Sequence, residues 1–252
     1  VTAAKRRRRR LLWWIGGGLV GVLLLAATGI VVWSQVGVYA AEAEPLAAVR
    51  ADPAIRLTDD GTAIVMSPTH PDADAAKGLV FIPGAKVDPW AYASTLSGLV
   101  ADDGLTVVIT RPWLNLAFFD PRPLSTFTGL APEVQTWAVG GHSLGGVRAC
   151  SLAADAEALV LFASYCATDI SDTGLPVLSL SGSEDGLSTP QKIDDARHLL
   201  PPDATMIQID GASHASFGAY GRQDGDGVAT LSREQTVAEI TSSVGEFIAS
   251  RG

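Results

Sequence analysis

The chain has 252 residues, 47% of them apolar and 18% charged, and a formal charge of −9. This excludes a disordered or collagen-like protein and suits one globular domain with an additional segment. The charge is uneven: Lys5 and Arg6 to Arg10 put +6 into the first ten residues, leaving −15 on the remainder. A body so acidic repels phosphate backbones, so a nucleic-acid partner is not expected.

Residues 1–10 read as a basic cytoplasmic segment, because residues 11–33 follow as 23 positions without a charge. At 1.5 Å per residue such a helix crosses a hydrocarbon core of about 30 Å. Trp13, Trp14 and Trp33 stand near its ends, where indole rings favour the headgroup zone, and the cations lie on the N-terminal side only. The positive-inside rule therefore predicts a single-pass signal anchor with everything after it extracytoplasmic. The alternative is a cleaved signal peptide with small-residue sites around Ala40 or Ala43, although 23 apolar residues exceed the usual signal core. Residues 34–56, rich in Ala and Glu with Pro45, read as a linker, and residues 57–252 as the folded domain.

Apolar, β-branched runs recur at 63–66, 78–82, 105–110, 136–139, 158–164, 176–180 and 205–209, with helix-length segments between most of them. Short buried strands alternating with helices predict an α/β fold with a mostly parallel sheet covered on both faces. Pro89 and Pro190 stand at first-turn positions of predicted helices over 88–101 and 190–200. In the last segment, 232–250, Val237, Ile240, Val244, Phe247 and Ile248 form one apolar stripe expected to pack on the sheet edge, and Ser232 with Gln235 forms a capping box. Cys150 and Cys166 either bridge or serve as small buried apolar groups; an exported domain permits the bridge.

The most informative string is Gly141-His142-Ser143-Leu144-Gly145, a G-x-S-x-G between a predicted strand and a predicted helix. A serine on so sharp a turn is strained, flanking side chains would collide with it, and its Oγ stands exposed at a helix N-terminus. Its hydroxyl needs an imidazole to take the proton and an acid to orient that imidazole. His70 lies in a polar loop, His198 on the solvated face of a helix, and His142, as the direct neighbour of Ser143, is expected to point away. His214 remains, just beyond the last strand. Between them, after the strand at 176–180, Asp185 is the candidate acid, with the adjacent Glu184 as the alternative. For the oxyanion, the amide of Leu144 supplies one donor and the loop after the strand at 78–82 the second, through Ala85 or, as the alternative, Lys86. Asp224-Gly225-Asp226-Gly227 lacks the further ligands of a calcium loop and reads as a surface turn, and no histidine pair has zinc spacing.

With its GGHSLGG, SGSEDG and His214-x-x-Phe217 strings, the sequence resembles the α/β-hydrolase family, and within it the small, lidless bacterial members related to dienelactone hydrolases and simple esterases. The resemblance implies about eight strands, an α/β-hydrolase fold, a Ser-His-Asp triad of Ser143, His214 and Asp185, and no cofactor. Dienelactone hydrolases use a cysteine where this chain has Ser143, so lactone specificity is not implied. The short gap between Tyr165 and Pro176 leaves no room for a lid. Phe118 and Phe119, in an apolar run after the strand at 105–110, are the candidate substrate-binding residues. The expected function is hydrolysis of a small-molecule or lipid-like carboxylic ester at the membrane. The alternatives are acyl transfer by the same residues, or ligand binding without catalysis.

Overall fold

The computed structural model describes residues 2–71 and 77–250. Val1, residues 72–76 of the polar loop after His70, the two C-terminal residues, and the side chains of residues 2–5 and 9–11 lie outside the described part. The chain divides into two compact units, one up to Val38 and one from Tyr39 onward.

The first unit is a helix, α1 (Thr2–Gln35). From Arg6 to Gln35 it is long and apolar enough to cross a membrane, with a mean hydropathy of 2.3 over its most apolar window. Trp13, Trp14 and Trp33 are all exposed on it.

In the second unit, eight strands form one sheet: β1 (Ile55–Asp59), β2 (Ala63–Pro68), β3 (Lys77–Ile82), β4 (Thr106–Thr110), β5 (Thr136–His142), β6 (Ala158–Phe162), β7 (Val177–Gly182) and β8 (Thr205–Ile209). Their order is β1-β2-β4-β3-β5-β6-β7-β8. The β1–β2 and β2–β4 pairs are antiparallel and the other pairs are parallel. The central strands are apolar at nearly every position because both faces are covered, as parallel sheets require. On one face Leu79, Phe81, Val107 and Ile109 pack with Leu96 and Leu99 of α3 (Ala93–Ala101) and with Ile240 and Val244 of α7 (Arg233–Ala249). On the other, Val80, Val108, Val139 and Leu161 pack with Phe127 of α4 (Ser125–Thr128) and Ala149 of α5 (Leu144–Leu152).

All seven apolar runs form strands. Three expectations need correction. Much of the segment 34–56 is not a linker: residues 43–51 form α2 (Ala43–Ala51), which packs on α3 and buries Val49, and Ile55 already belongs to β1. Upstream of α2, Tyr39 bridges to Val87, its N–H donating to the Lys86 carbonyl (2.7 Å) and its carbonyl accepting from the Asp88 N–H (2.9 Å). The predicted helices at 88–101 and 190–200 each break: a 3₁₀ turn over Pro89–Tyr92 precedes α3, and α6 (Pro190–Asp195) gives way to a 3₁₀ turn over Arg197–Leu199. Helix α7, capped by Ser232 and Gln235, lies chiefly across α3 on one face of the sheet, where Gly98 and Thr241 meet, and not on its edge.

Candidate active site

The site is assembled at the C-terminal ends of β3, β5, β7 and β8, the edge where loops of a parallel sheet converge. β5 passes into α5 through Ser143, whose backbone has φ 52° and ψ −123°. This left-handed-side conformation costs energy for a residue with a side chain and is held by the surroundings. The Ser143 N–H donates to the Phe162 carbonyl (3.0 Å), and the Ser143 carbonyl accepts from Ser164 Oγ (2.7 Å). The turn is so tight that a Cβ at position 145 would stand 2.0 Å from the Ile82 carbonyl oxygen, which explains the glycine there.

His214 opens a short 3₁₀ turn (His214–Phe217) after β8, and Asp185 follows β7. Their side chains are buried and joined by a 2.9 Å hydrogen bond from His214 Nδ1–H to Asp185 Oδ2. Because the carboxylate can only accept, this bond places the proton on Nδ1 and leaves Nε2 as the basic nitrogen. Asp185 Oδ1 accepts from the N–H groups of Leu187 (2.8 Å) and Ser188 (2.7 Å), which hold the carboxylate in place. Glu184 is exposed and meets only Ser183 Oγ at 3.3 Å, so Asp185 is the carboxylate that faces the imidazole.

Around the Ser143 turn, the N–H groups of Leu144 and Ala85 have no protein acceptor among the described residues. Lys86, the alternative to Ala85, has its N–H bound to the Asn115 carbonyl (2.8 Å) and a φ of 56°, which removes it as an oxyanion donor. Phe118 and Phe119 lie on a 3₁₀ turn beside α5 and are 78% and 50% exposed, so they are not core residues. Cys150 of α5 is bonded to Cys166 in the loop after β6, with a Cα separation of 5.6 Å. Among the described residues no group of three or more His, Cys, Asp or Glu is placed to hold a metal ion.

His142 departs from expectation. As the last residue of β5 its side chain turns beneath the site and not away from it. Its ring centroid is 4.5 Å from that of His214, and Nε2–H donates to the His214 carbonyl (3.1 Å). Its Nδ1 accepts from the Tyr92 hydroxyl (2.9 Å), which in turn accepts from the Gly84 N–H (3.0 Å). Donors and acceptors along this chain have one consistent assignment, in which His142 is neutral. Burial, and then the proximity of His214, hold its pKa well below the usual 6.5. Burial likewise raises the Tyr92 phenol, so it remains a hydroxyl. Tyr92 belongs to no motif, and His142 fills an unspecified position of G-x-S-x-G, so the sequence around them flags neither. His70 and His198 are exposed, as read from sequence.

The model of the alpha/beta hydrolase family matches residues 78–238, well over half of the chain, so the chain belongs to that family and is a hydrolase. Two solved structures share its fold. Est1E from Butyrivibrio proteoclasticus superposes with a TM-score of 0.56 at 12% identity, covering 78% of this chain and 99% of its own. TT1662 from Thermus thermophilus does so at 0.54 and 14%, covering 77% and 98%. No curated protein matches the sequence significantly.

Proposed function

We propose that this hydrolase is a membrane-anchored, extracytoplasmic serine hydrolase that cleaves carboxylic esters. The observation that carries the reading is the buried His214–Asp185 pair, whose imidazole lies 4.5 Å from the ring of His142, the residue before a serine held at φ 52°. Ser143 Oγ attacks the ester carbonyl carbon while His214 Nε2 takes its proton. Asp185 orients the imidazole and offsets the positive charge that it gains. Negative charge developing on the carbonyl oxygen falls to the free N–H groups of Leu144 and Ala85, a contribution of about 2.7–4 kcal/mol per donor in comparable sites. The intermediate collapses, the proton passes from His214 to the leaving alkoxide, and water, activated by the same imidazole, releases the acid from Ser143. Phe118 and Phe119 offer an apolar surface to the acyl chain. The anchor reading is supported by the uncharged, tryptophan-bordered stretch of α1 and the cations on one side of it.

The test is labelling with a fluorophosphonate probe together with hydrolysis of p-nitrophenyl esters of graded chain length. The wild type is expected to take the label and Ser143→Ala to take none; equal labelling of both sinks the assignment. A periplasmic-type reporter fused after Gly252 is expected to be active, and activity of a cytoplasm-only reporter at that position overturns the topology.

A further inference from the structure

The Asp224 to Gly227 segment reads in sequence as a surface turn, and Asp226 does not fit that description. Its carboxylate lies between the turn that carries His214 and the turn that carries Asp185. Oδ1 accepts from the N–H groups of His214 (3.0 Å), Gly186 (3.1 Å) and Gly227 (2.7 Å), and Oδ2 accepts from Ala215 (2.9 Å). Gly186 directly follows Asp185, so one side chain holds the backbone of the acid and of the base. Burial works against the charge of Asp226, but the N–H groups of Ala215, Gly186 and His214 outweigh it and hold the carboxyl below its ordinary pKa.

The approach of the two turns is close. A Cβ at position 227 would stand 1.8 Å from the Glu184 carbonyl oxygen, and one at position 186 would stand 2.8 Å from that of Gly225. Only residues without side chains let the segments meet at this distance, so both glycines follow from the contact that places Asp226. The bond between His214 and Asp185 joins the two side chains but does not tie together the two turns that carry them. Asp226 does so, because the carboxylate that accepts from the N–H groups of His214 and Ala215 also accepts from that of Gly186.

We propose that Asp226 is a positioning residue for the hydrolytic reaction: its carboxylate fixes the Asp185 turn and the His214 turn at one separation, so that the imidazole reaches Ser143 at a set angle. The inference rests on Ser143, Asp185 and His214 acting as proposed above. A side chain that only capped the His214–Phe217 turn would contribute stability and leave turnover of folded enzyme unchanged. Asp226→Asn separates the two roles, because it keeps the volume and one acceptor oxygen but sets an N–H donor against another N–H.

The experiment uses the full chain in detergent, as wild type, Asp226→Asn and Asp226→Ala. It reads the fluorophosphonate labelling rate, kcat and KM on p-nitrophenyl acetate, thermal unfolding, and the downfield proton resonance of His214 Nδ1–H. Misplacement of a reacting group by about 1 Å costs on the order of 100-fold. Asp226→Asn is therefore expected to fold, to lose about 10- to 100-fold in kcat and labelling rate at nearly constant KM, and to broaden the His214 resonance. A folded Asp226→Asn with wild-type kcat and labelling overturns the role. Should neither variant fold, hydrogen exchange of the wild type decides: concerted slow exchange at His214, Ala215 and Gly186 supports the clamp, and rapid exchange at any of the three overturns it. A wild type that takes no label overturns the hydrolase reading and this inference with it, whereas a labelled wild type and an equally labelled variant overturn the role of Asp226 alone.

Discussion

His142 Nε2–H donates to the backbone carbonyl of His214, so the residue before the elbow serine supports the residue that carries the imidazole. The other end of the ring accepts from the Tyr92 hydroxyl, and that bond requires Nδ1 to be unprotonated and His142 neutral.

Acid should therefore loosen the site before it protonates most carboxylates. The unfolded chain binds a proton at His142 near pH 6.5, whereas the folded chain, with its pKa depressed, does not. Stability is fully present above pH 6.5 and falls as the pH drops below it, by up to about 1.4 kcal/mol per pH unit for this one group. Urea unfolding between pH 7.5 and 5 measures it, and His142→Gln should flatten the slope. An unchanged slope in that variant would assign the acid sensitivity elsewhere.

Tyr92→Phe removes the hydroxyl between Gly84 N–H and His142 Nδ1, leaving a buried donor and a buried acceptor without partners. Each such group costs about 1–3 kcal/mol, so a loss of about 2–6 kcal/mol is expected in equilibrium unfolding. Turnover should fall as well, since Gly84 precedes the Ala85 amide. A loss below about 0.5 kcal/mol contradicts the bridging geometry.

Reduction of the Cys150–Cys166 bond opens a loop of 16 residues. On the chain-entropy account this lowers stability by about 3 kcal/mol. Thermal unfolding with and without a reductant, against Cys150→Ala/Cys166→Ala as a reference, checks it. Reductant should leave the double variant unaffected.

A chain beginning at Tyr39 should unfold cooperatively, whereas one beginning at Pro53 should be destabilised by at least about 3 kcal/mol. The shorter chain loses buried Val49 and the backbone bonds of Tyr39 and Glu42, whose N–H donates to the Ala219 carbonyl (2.8 Å). Denaturant midpoints of the two fragments settle the difference; equal midpoints would return residues 43–51 to the status of a spacer.

What was legible in the sequence follows from where each signal resides. The buried central strands are largely apolar and announce themselves, and Ser143 and Asp185 stand just past two of them, whereas His214 follows β8, an exposed edge strand that keeps an apolar Met206-Ile207 and Ile209. Strand β1, also an exposed edge, carries Arg56, Thr58 and Asp59 among its five residues and leaves no such run. Helix α2 escaped because its single fully buried residue, Val49, makes no stripe. His142 pairs with His214 because the turn after β8 comes down on the end of β5, a contact between distant segments that the residues next to Ser143 do not reveal. Asp226 and the disulfide depend on distances between segments that only the sheet order sets.

Tyr39 has a mechanical consequence. Its N–H and carbonyl grip Lys86 and Asp88, one and three residues beyond the Ala85 amide. Tension on the N-terminal segment therefore loads this pair of bonds before it reaches the core, and the first part of the domain to yield is the loop that carries Ala85.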